Sequence, residues 1–285
     1  MIPSGGTEAE EHRYTRPEVW SDPDRKLFRH QVGFTCPPHD FDAAPSDFLR
    51  MAPPSVGVHG RMMHAPVYAH ELSQRADNFH LLEEFARCMA DNGADVVGQV
   101  GSNWVHCNGT DAADIRSFCD RMVDTYGMPF HMAGMTLVEA ASALGAEKVA
   151  LNSVYYWPDW RDGLNGFLGS AGLDVAYAGN FVDLGIFDDQ EWVNAQRWIF
   201  DGDTAVESVV RTVERAPDAE VVIVSGMPNW RSDDGLNERC LHRIEAMEAA
   251  VGRPVIASDT TLYWALFRSL GITPTFAPGT LLGRL

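Results

Sequence analysis

Basic residues are scarce in this sequence of 285 residues. Lys and Arg together number 22 against 40 Asp and Glu, which gives a formal net charge of −18. Nucleic acids and anionic membranes are bound through clusters of Lys and Arg, so we expect a chain this acidic to bind neither. An anionic small molecule would have to be held by local donor groups against an unfavourable overall field.

Long apolar runs and paired cysteines are also missing. No stretch approaches 18 consecutive apolar residues, and residues 1–11 are polar and acidic, so the sequence predicts neither a membrane span nor an export signal. The five cysteines are an odd number without CxxC spacing. This pattern favours a reducing compartment, and we expect a cytoplasmic protein.

The common signatures of nucleotide, metal and serine-hydrolase sites are absent as well. The chain has no GxGxxG, no GxxxxGK[ST] and no GxSxG, which argues against a dinucleotide, a phosphate loop and a nucleophile elbow. It also has no HExxH or other close set of metal ligands. We therefore expect neither a metal nor a cofactor.

The chain does contain a regular alternation of short apolar runs and helical patterns. The strand-length runs are 31–35, 95–100, 129–132, 148–152, 175–178, 220–225 and 254–258. This alternation predicts an α/β fold with parallel sheets, and the length suits two domains. Residues 1–30 are charged and show no period, so we expect an arm that lies on the body or on a partner subunit of a homo-oligomer.

Two further patterns lie between the first strand and the second. The segment 37–67 carries six prolines and few apolar residues, which predicts a long loop that forms a lid or a pocket wall. A single apolar stripe then predicts one helix that ends at Asn92-Gly93. Its members are Leu72, Ala76, Phe79, Leu82, Ala86 and Met89.

Two segments share one organisation: an acidic residue, an apolar run of strand length, then glycine among small polar residues. The first ends in Gly101-Ser102-Asn103 and the second in Ser225-Gly226-Met227. Glycine lets the backbone approach a ligand closely, and small polar side chains add donors. Because parallel strands end at one edge of a sheet, these groups predict a carboxylate or oxyanion site.

Several runs resemble the maleate isomerase and arylmalonate decarboxylase branch of the aspartate/glutamate racemase superfamily. The likeness covers roughly residues 31–282 in the same order, and it includes Gly93-Ala-Asp-Val-Val-Gly-Gln-Val-Gly-Ser-Asn103, Val221-Val-Ile-Val-Ser-Gly226 and Arg253-Pro-Val-Ile-Ala-Ser-Asp-Thr-Thr261. The resemblance implies two pseudo-symmetric Rossmann-like domains with the active site in the cleft between them. We expect the arm over 1–30, the first domain over 31–144 and 254–285, and the second over 145–253.

The resemblance also implies roles for individual residues. Isomerases and racemases of the superfamily use two cysteines, of which the decarboxylases keep the second, and these positions fall on Gly101 and Gly226. Ser102, Asn103 and Tyr155 match donors of an oxyanion hole, and Met227 matches a residue that offers its backbone N–H. The expected substrate-binding residues are Pro37, Pro38, Asp40, Gly101, Ser102, Asn103, Ser225, Gly226 and Met227.

Without either thiol, we expect a cofactor-independent lyase or isomerase that acts on a small carboxylate or dicarboxylate. The reaction would be decarboxylation or proton transfer next to a carboxylate, through an enediolate stabilised by oxyanion-binding donors. The candidate acids and bases are Cys36, His39, Tyr155 and Asp259. Two alternatives stay open: a hydrolase that uses a His or Asp base in the same pocket, and a non-catalytic carboxylate-binding homologue.

Overall fold

The computed structural model describes residues 22–36, 42–63, 71–226, 229–231 and 235–285 of the chain. Over these ranges it contains ten strands: β1 His30–Cys36, β2 Val56–Met62, β3 Val96–Gln99, β4 Phe130–Met132, β5 Lys148–Asn152, β6 Asp174–Gly179, β7 Val221–Val224, β8 Trp230–Arg231, β9 Asn237–Glu238 and β10 Val255–Ala257. The α-helices are α1 Ala44–Met51, α2 Leu72–Asn78, α3 Leu81–Asp91, α4 Ala112–Tyr126, α5 Ala133–Leu144, α6 Pro158–Ser170, α7 Gln190–Ala195, α8 Gly202–Arg215, α9 Cys240–Val251, α10 Ser258–Leu270 and α11 Gly279–Leu282. Two 3₁₀ helices are Pro23–Arg25 and Ser102–Val105.

Two four-stranded parallel sheets organise the fold. The first has the strand order β2-β1-β3-β4, and the second has the order β10-β7-β5-β6. All four residues of β3 and all four of β7 are buried, as expected for strands covered by helices on both faces. The predicted α/β class with parallel sheets is confirmed. Within the described residues, no helix is long and apolar enough to cross a membrane.

The segment 37–67 is not the long loop that its prolines predicted. It contains α1 and β2, and β2 pairs with β1 along its whole length, from His30–Val56 to Cys36–Met62. The prediction was wrong because β2 is an edge strand whose sequence, Val-Gly-Val-His-Gly-Arg-Met, mixes glycine and polar residues with few apolar ones. His59, for example, is exposed on this strand.

The return of the chain to the first sheet comes later than expected. β10 pairs with β7 and so belongs to the second sheet, whereas α10 packs on α5, β3 and β4 of the first. The chain therefore crosses between the sheets at Ser258, four residues after the expected boundary at 254. At the other end, the arm approaches the first sheet, where Lys26 forms an ion pair with Asp95.

The apolar stripe from Leu72 to Met89 belongs to two helices rather than one. The Asn78 side chain donates to the Gln74 carbonyl at 2.7 Å, and α2 ends there before α3 begins three residues later. Asparagine side chains compete with the backbone for hydrogen bonds, which makes them common at helix ends. α2 contacts the 3₁₀ helix Ser102–Val105.

Candidate active site

The two glycine turns meet through their serines. Gly101 and Gly226 have φ values of +97° and +87°, in the region that favours glycine. The hydroxyl oxygens of Ser102 and Ser225 are 2.7 Å apart and completely buried, and either group can be the donor. The structure thus brings together two of the predicted binding residues from different sheets.

Close backbone packing fixes the position of each turn. A Cβ on Gly134, near the start of α5, would lie only 2.4 Å from the Ser102 carbonyl oxygen, so this glycine allows the first turn to rest on the helix. In the second turn, the Ser225 N–H donates to the Asn152 carbonyl at 2.8 Å and extends the β7–β5 ladder. The first turn is therefore held by α5 and the second by β5.

Aromatic rings fill the space beside Gly226. A Cβ at this position would lie 3.0 Å from the Tyr156 ring, 3.1 Å from Val154 and 3.3 Å from Cζ of Tyr155. Val154 has φ +47°, an unusual conformation for a β-branched residue, and its N–H donates to the Asn152 side chain at 2.9 Å. This bond holds the backbone that presents both tyrosines to the glycine turn.

Tyr155 lies in a buried aromatic cluster. Its ring stacks on Phe200 with centroids 6.1 Å apart and an interplanar angle of 12°, and it meets the Tyr156 ring edge-on at 4.9 Å. Burial and the neighbouring Tyr156 raise the pKa of the Tyr155 phenol well above its ordinary value. The phenol therefore stays protonated at neutral pH and can act as a hydrogen-bond donor.

Asn103 and His106 form a buried polar pair on the other side of the first turn. Oδ1 of Asn103 and Nε2 of His106 are 2.8 Å apart, while Nδ2 of Asn103 is buried without a partner in the described part of the chain. Burial, with a contribution from Arg75, lowers the pKa of His106 to about 4. The imidazole is therefore neutral at pH 7, and its Nε2–H donates to Asn103.

Arg75 is a buried cation that the sequence did not reveal. Its side chain is only 5% exposed and lies between the rings of Trp104 and Trp160, whose centroids are 5.7 Å and 4.3 Å from Cζ. Its Nε and Nη1 atoms are buried and form no hydrogen bond within the described ranges. Nothing in the sequence could single it out, because arginine on an amphipathic helix usually faces solvent.

Asp259 lies at the first turn of α10 and is occupied by other contacts. Its Oδ1 accepts from the Thr260 N–H at 2.8 Å and its Oδ2 from the Leu241 N–H at 3.3 Å. The Arg239 guanidinium, itself buried, lies 3.9 Å from Oδ2 and also pairs with Asp42 and Asp47. These contacts describe a structural ion cluster around Arg239.

The remaining predicted residues are only partly covered by the structure. Cys36 ends β1, and its backbone alone is described. The others lie outside the described residues and their roles stay predictions: Pro37, Pro38, His39, Asp40 and Met227. Across the described ranges, no three His, Cys, Asp or Glu side chains come together as a potential metal site.

The chain matches the family model of arylmalonate decarboxylase over residues 73–282, well over half of its length. The chain belongs to the arylmalonate decarboxylase family. It is accordingly an enzyme of the lyase or isomerase type. The resemblance inferred from the strand–glycine runs is confirmed at the level of this branch of the superfamily.

Solved structures share the fold of this family member. A crystal structure of arylmalonate decarboxylase is 21% identical, with 89% of this chain and 99% of that chain covered at a TM-score of 0.68. The maleate isomerase Iso from Pseudomonas putida S16 is 19% identical, with coverages of 89% and 98% and a TM-score of 0.68. A maleate cis-trans isomerase mutant from Nocardia farcinica is 17% identical, with coverages of 90% and 99% and a TM-score of 0.62. None of the curated proteins matches the chain.

Three of the cysteines in this family member are unsuited to nucleophilic chemistry. Burial raises the pKa of Cys107 and of Cys119 to about 12, and it raises the pKa of Cys240 well above its ordinary value. The Cys107 thiol also donates to the Trp104 carbonyl at 3.2 Å. The thiolate is the reactive form of cysteine, so these three groups are inert at neutral pH.

Proposed function

We propose that this enzyme decarboxylates a small malonate-like dicarboxylate, or moves a proton next to a carboxylate, through an enediolate bound at the two glycine turns. The observation that carries the proposal is the buried hydroxyl pair of Ser102 and Ser225, which joins the turns. Membership of the arylmalonate decarboxylase family supports the same class of reaction.

The reaction needs donors more than it needs a nucleophile. The bond between the departing carboxylate and the α carbon breaks, and its electron pair moves into the retained carboxylate to give an enediolate. Carbon dioxide leaves, and a proton is then added to the α carbon. A preorganised donor aimed at the developing oxyanion contributes about 3 kcal/mol to the barrier reduction.

The turns supply such donors without a thiol. The Ser102 hydroxyl can donate to a ligand while it accepts from Ser225, and the protonated phenol of Tyr155 is a second donor near the second turn. The Nocardia isomerase forms a covalent succinylcysteine. Because Gly101 and Gly226 stand where the resemblance expects thiols, we assign this chain a route without covalent attachment.

Among the described candidates, Tyr155 fits the role of proton donor best. Cζ of its ring lies 3.3 Å from the point that a Cβ at position 226 would occupy, and its raised pKa keeps it protonated. The carboxylate of Asp259 accepts backbone hydrogen bonds and lies beside Arg239, which favours a structural role. Cys36, the last residue of β1, and His39, in the segment that follows, remain predicted donors.

Incubation with phenylmalonate, methylmalonate and maleate in D₂O, followed by NMR, tests this function. We expect at least one malonate to give its monocarboxylate with deuterium on the α carbon. Tyr155→Phe should lower turnover more than binding, because the donor acts in the transition state. Wild-type protein that is stabilised by these acids but converts none of them would overturn the proposal in favour of carboxylate binding alone.

A further inference from the structure

Arg75 lies in a series of aromatic contacts that connects the two glycine turns. Trp104 borders the first turn, since a Cβ on Gly101 would lie 3.4 Å from its Cδ1. Tyr156 borders the second turn, and its ring centroid is 5.0 Å from that of Trp160. The guanidinium of Arg75 contacts both indoles and therefore lies between the walls of the two turns.

The charge of Arg75 has no counter-ion within the described part of the chain. The indole rings cover the guanidinium through cation–π contacts, but its N–H donors point outward in its own plane. Two of its three nitrogens are buried without hydrogen bonds. Burying an uncompensated cation costs several kcal/mol. A chain with 40 acidic residues has many ways to neutralise this charge, yet no described carboxylate pairs with it.

The side chains around Arg75 offer donors and neutral groups. His106 is neutral, and the Asn103 amide on the same 3₁₀ helix as Trp104 has a buried Nδ2 without a partner in the described ranges. A buried cation without a described counter-ion, together with an unsatisfied amide donor on the segment that carries Trp104, is complementary to an anion with two oxygens. Arginine binds such a carboxylate in bidentate fashion through its planar fork.

We propose that Arg75 binds a carboxylate of the ligand, namely the one that remains on the product. This inference rests on the proposed function. A carboxylate that leaves as carbon dioxide loses its charge, so an ion pair with it would stabilise the starting state and slow the reaction. The retained carboxylate gains negative charge as the enediolate forms, and a cation there stabilises the transition state more than the ground state.

The test compares a carboxylate with its neutral amide. Calorimetry measures the binding of phenylmalonate, phenylacetate and phenylacetamide to wild type, Arg75→Met and Arg75→Lys. We expect wild type to bind phenylacetate at least about tenfold more tightly than phenylacetamide, the effect of one charge-assisted contact. In Arg75→Met, the ratio of the affinities for phenylacetate and phenylacetamide should fall to near one. Arg75→Lys should be intermediate, because lysine keeps the charge but loses the planar fork.

Arg268→Met is the matched control. Arg268 also lies over a tryptophan, 4.5 Å from the ring centroid of Trp264, but its side chain is exposed. This variant should keep the wild-type preference. A folded Arg75→Met protein that keeps the preference would overturn the inference, as would a wild type that lacks it or binds neither anion. Should Arg75→Met not fold, an unchanged preference in Arg75→Lys overturns it.

The outcomes for Arg75 and for the proposed function are distinguishable. If no malonate is converted but the carboxylate preference exists and depends on Arg75, the decarboxylase proposal fails and the binding role stands. If a malonate is converted with the same kcat/KM by wild type and Arg75→Met, the binding role fails and the decarboxylase proposal stands.

Discussion

The hydroxyl groups of Ser102 and Ser225 lie 2.7 Å apart although 123 positions separate them in the chain. Ser102 follows β3 in the first sheet, and Ser225 follows β7 in the second. One buried hydrogen bond thus joins the two halves at the point where the glycine turns meet. It also restrains the direction in which the Ser102 hydroxyl points.

Alanine substitutions separate the binding role of Ser102 from the orienting role of Ser225. We expect Ser102→Ala to lower kcat by about 100-fold through loss of an oxyanion donor. Ser225→Ala should lower kcat less, because Ser102 keeps its hydroxyl, and should cost about 1 kcal/mol of unfolding free energy. Steady-state kinetics and urea unfolding measure the two effects.

Ser117→Ala is the control for these serines. The Ser117 hydroxyl donates to the Ala113 carbonyl on the exposed face of α4, so its loss should change neither kcat nor stability by a measurable amount. Wild-type turnover in the Ser102→Ala variant would contradict the oxyanion-binding role of this side chain.

Three glycines with positive φ predict a graded response to alanine. Gly226, Gly101 and Gly109 have φ values of +87°, +97° and +68°. Added Cβ atoms would lie 3.0 Å from Tyr156 at Gly226 and 3.4 Å from Trp104 at Gly101, whereas nothing lies within 4 Å at Gly109. Each alanine should cost about 1 kcal/mol for the backbone alone, and Gly226→Ala should cost at least about 1 kcal/mol more.

Urea unfolding of the three variants measures how much stability each one loses. Because Gly109→Ala carries the backbone strain without a steric contact, it serves as the reference for the other two. Equal losses for Gly109→Ala and Gly226→Ala would show that the tyrosine rings move away from position 226 at no cost.

Two histidines, the buried His106 and the half-buried His131, make the protein less stable in acid. Burial lowers the pKa of His106 and of His131 to about 4, well below the ordinary value of the unfolded chain. Between these values the unfolded state binds more protons than the native state, so the unfolding free energy falls as the pH falls. Asp47, with a pKa raised to about 6 by burial, and Glu139, whose pKa burial also raises, act in the opposite direction. Asp218 and Glu220 act in the same direction as the histidines, because hydrogen bonds to their carboxylates lower the pKa of each.

His106→Gln tests this dependence. In wild type, His106 binds a proton in the unfolded state but not in the native state. Without this residue, the unfolding free energy should fall less steeply than that of wild type between about pH 7 and 4.5. Denaturant unfolding at several pH values measures the slope. His59→Gln, at an exposed position on β2, should keep the wild-type slope. An identical slope in the His106 variant would contradict the predicted neutral state.

We expect the buried acidic cluster to stabilise the fold only while Arg239 is present. Its replacement by Met leaves Asp42, Asp47 and Asp259 without their shared cation, and the loss of one partner from a buried ion pair costs about 3–5 kcal/mol. The loss should be smaller at pH 5 than at pH 7, because the raised pKa of Asp47 allows its carboxyl to become neutral.

Arg243→Met is the comparison for Arg239. Arg243 pairs with Asp203 at 3.4 Å on the surface, where an ion pair contributes no more than about 1 kcal/mol. Thermal and urea unfolding at both pH values measure the difference. A loss for Arg239→Met as small as that of the control would show that the cluster does not stabilise the fold.

The parts of the fold that the sequence predicted are those with strong local patterns. β3, β5 and β7 each contain a short apolar run that is buried on both faces, and their positions follow from those runs. β2 was missed because it is an edge strand with polar and glycine positions. The break after Asn78 was missed because the apolar periodicity continues across it. The side-chain hydrogen bond that ends the helix does not alter the spacing of the apolar residues.

The site was predictable where its residues follow a strand directly. Ser102 and Ser225 come at the ends of buried strands, and topology brings those ends together. Arg75 lies on a helix outside the strand pattern, and its importance depends on Trp104 and Trp160 from two other segments. Asp259 was chosen for its place after a strand, but only the fold reveals that Arg239 already lies beside it.

The passage of the chain from β10 into α10 has a thermodynamic consequence. The strand completes the second sheet, and the helix, buried at its first ten residues, packs against the first. Since no linker separates them, neither half can lose its structure without exposing apolar surface of the other. The protein should accordingly unfold in a single cooperative transition, with equal calorimetric and van't Hoff enthalpies, and isolated halves should be aggregation-prone.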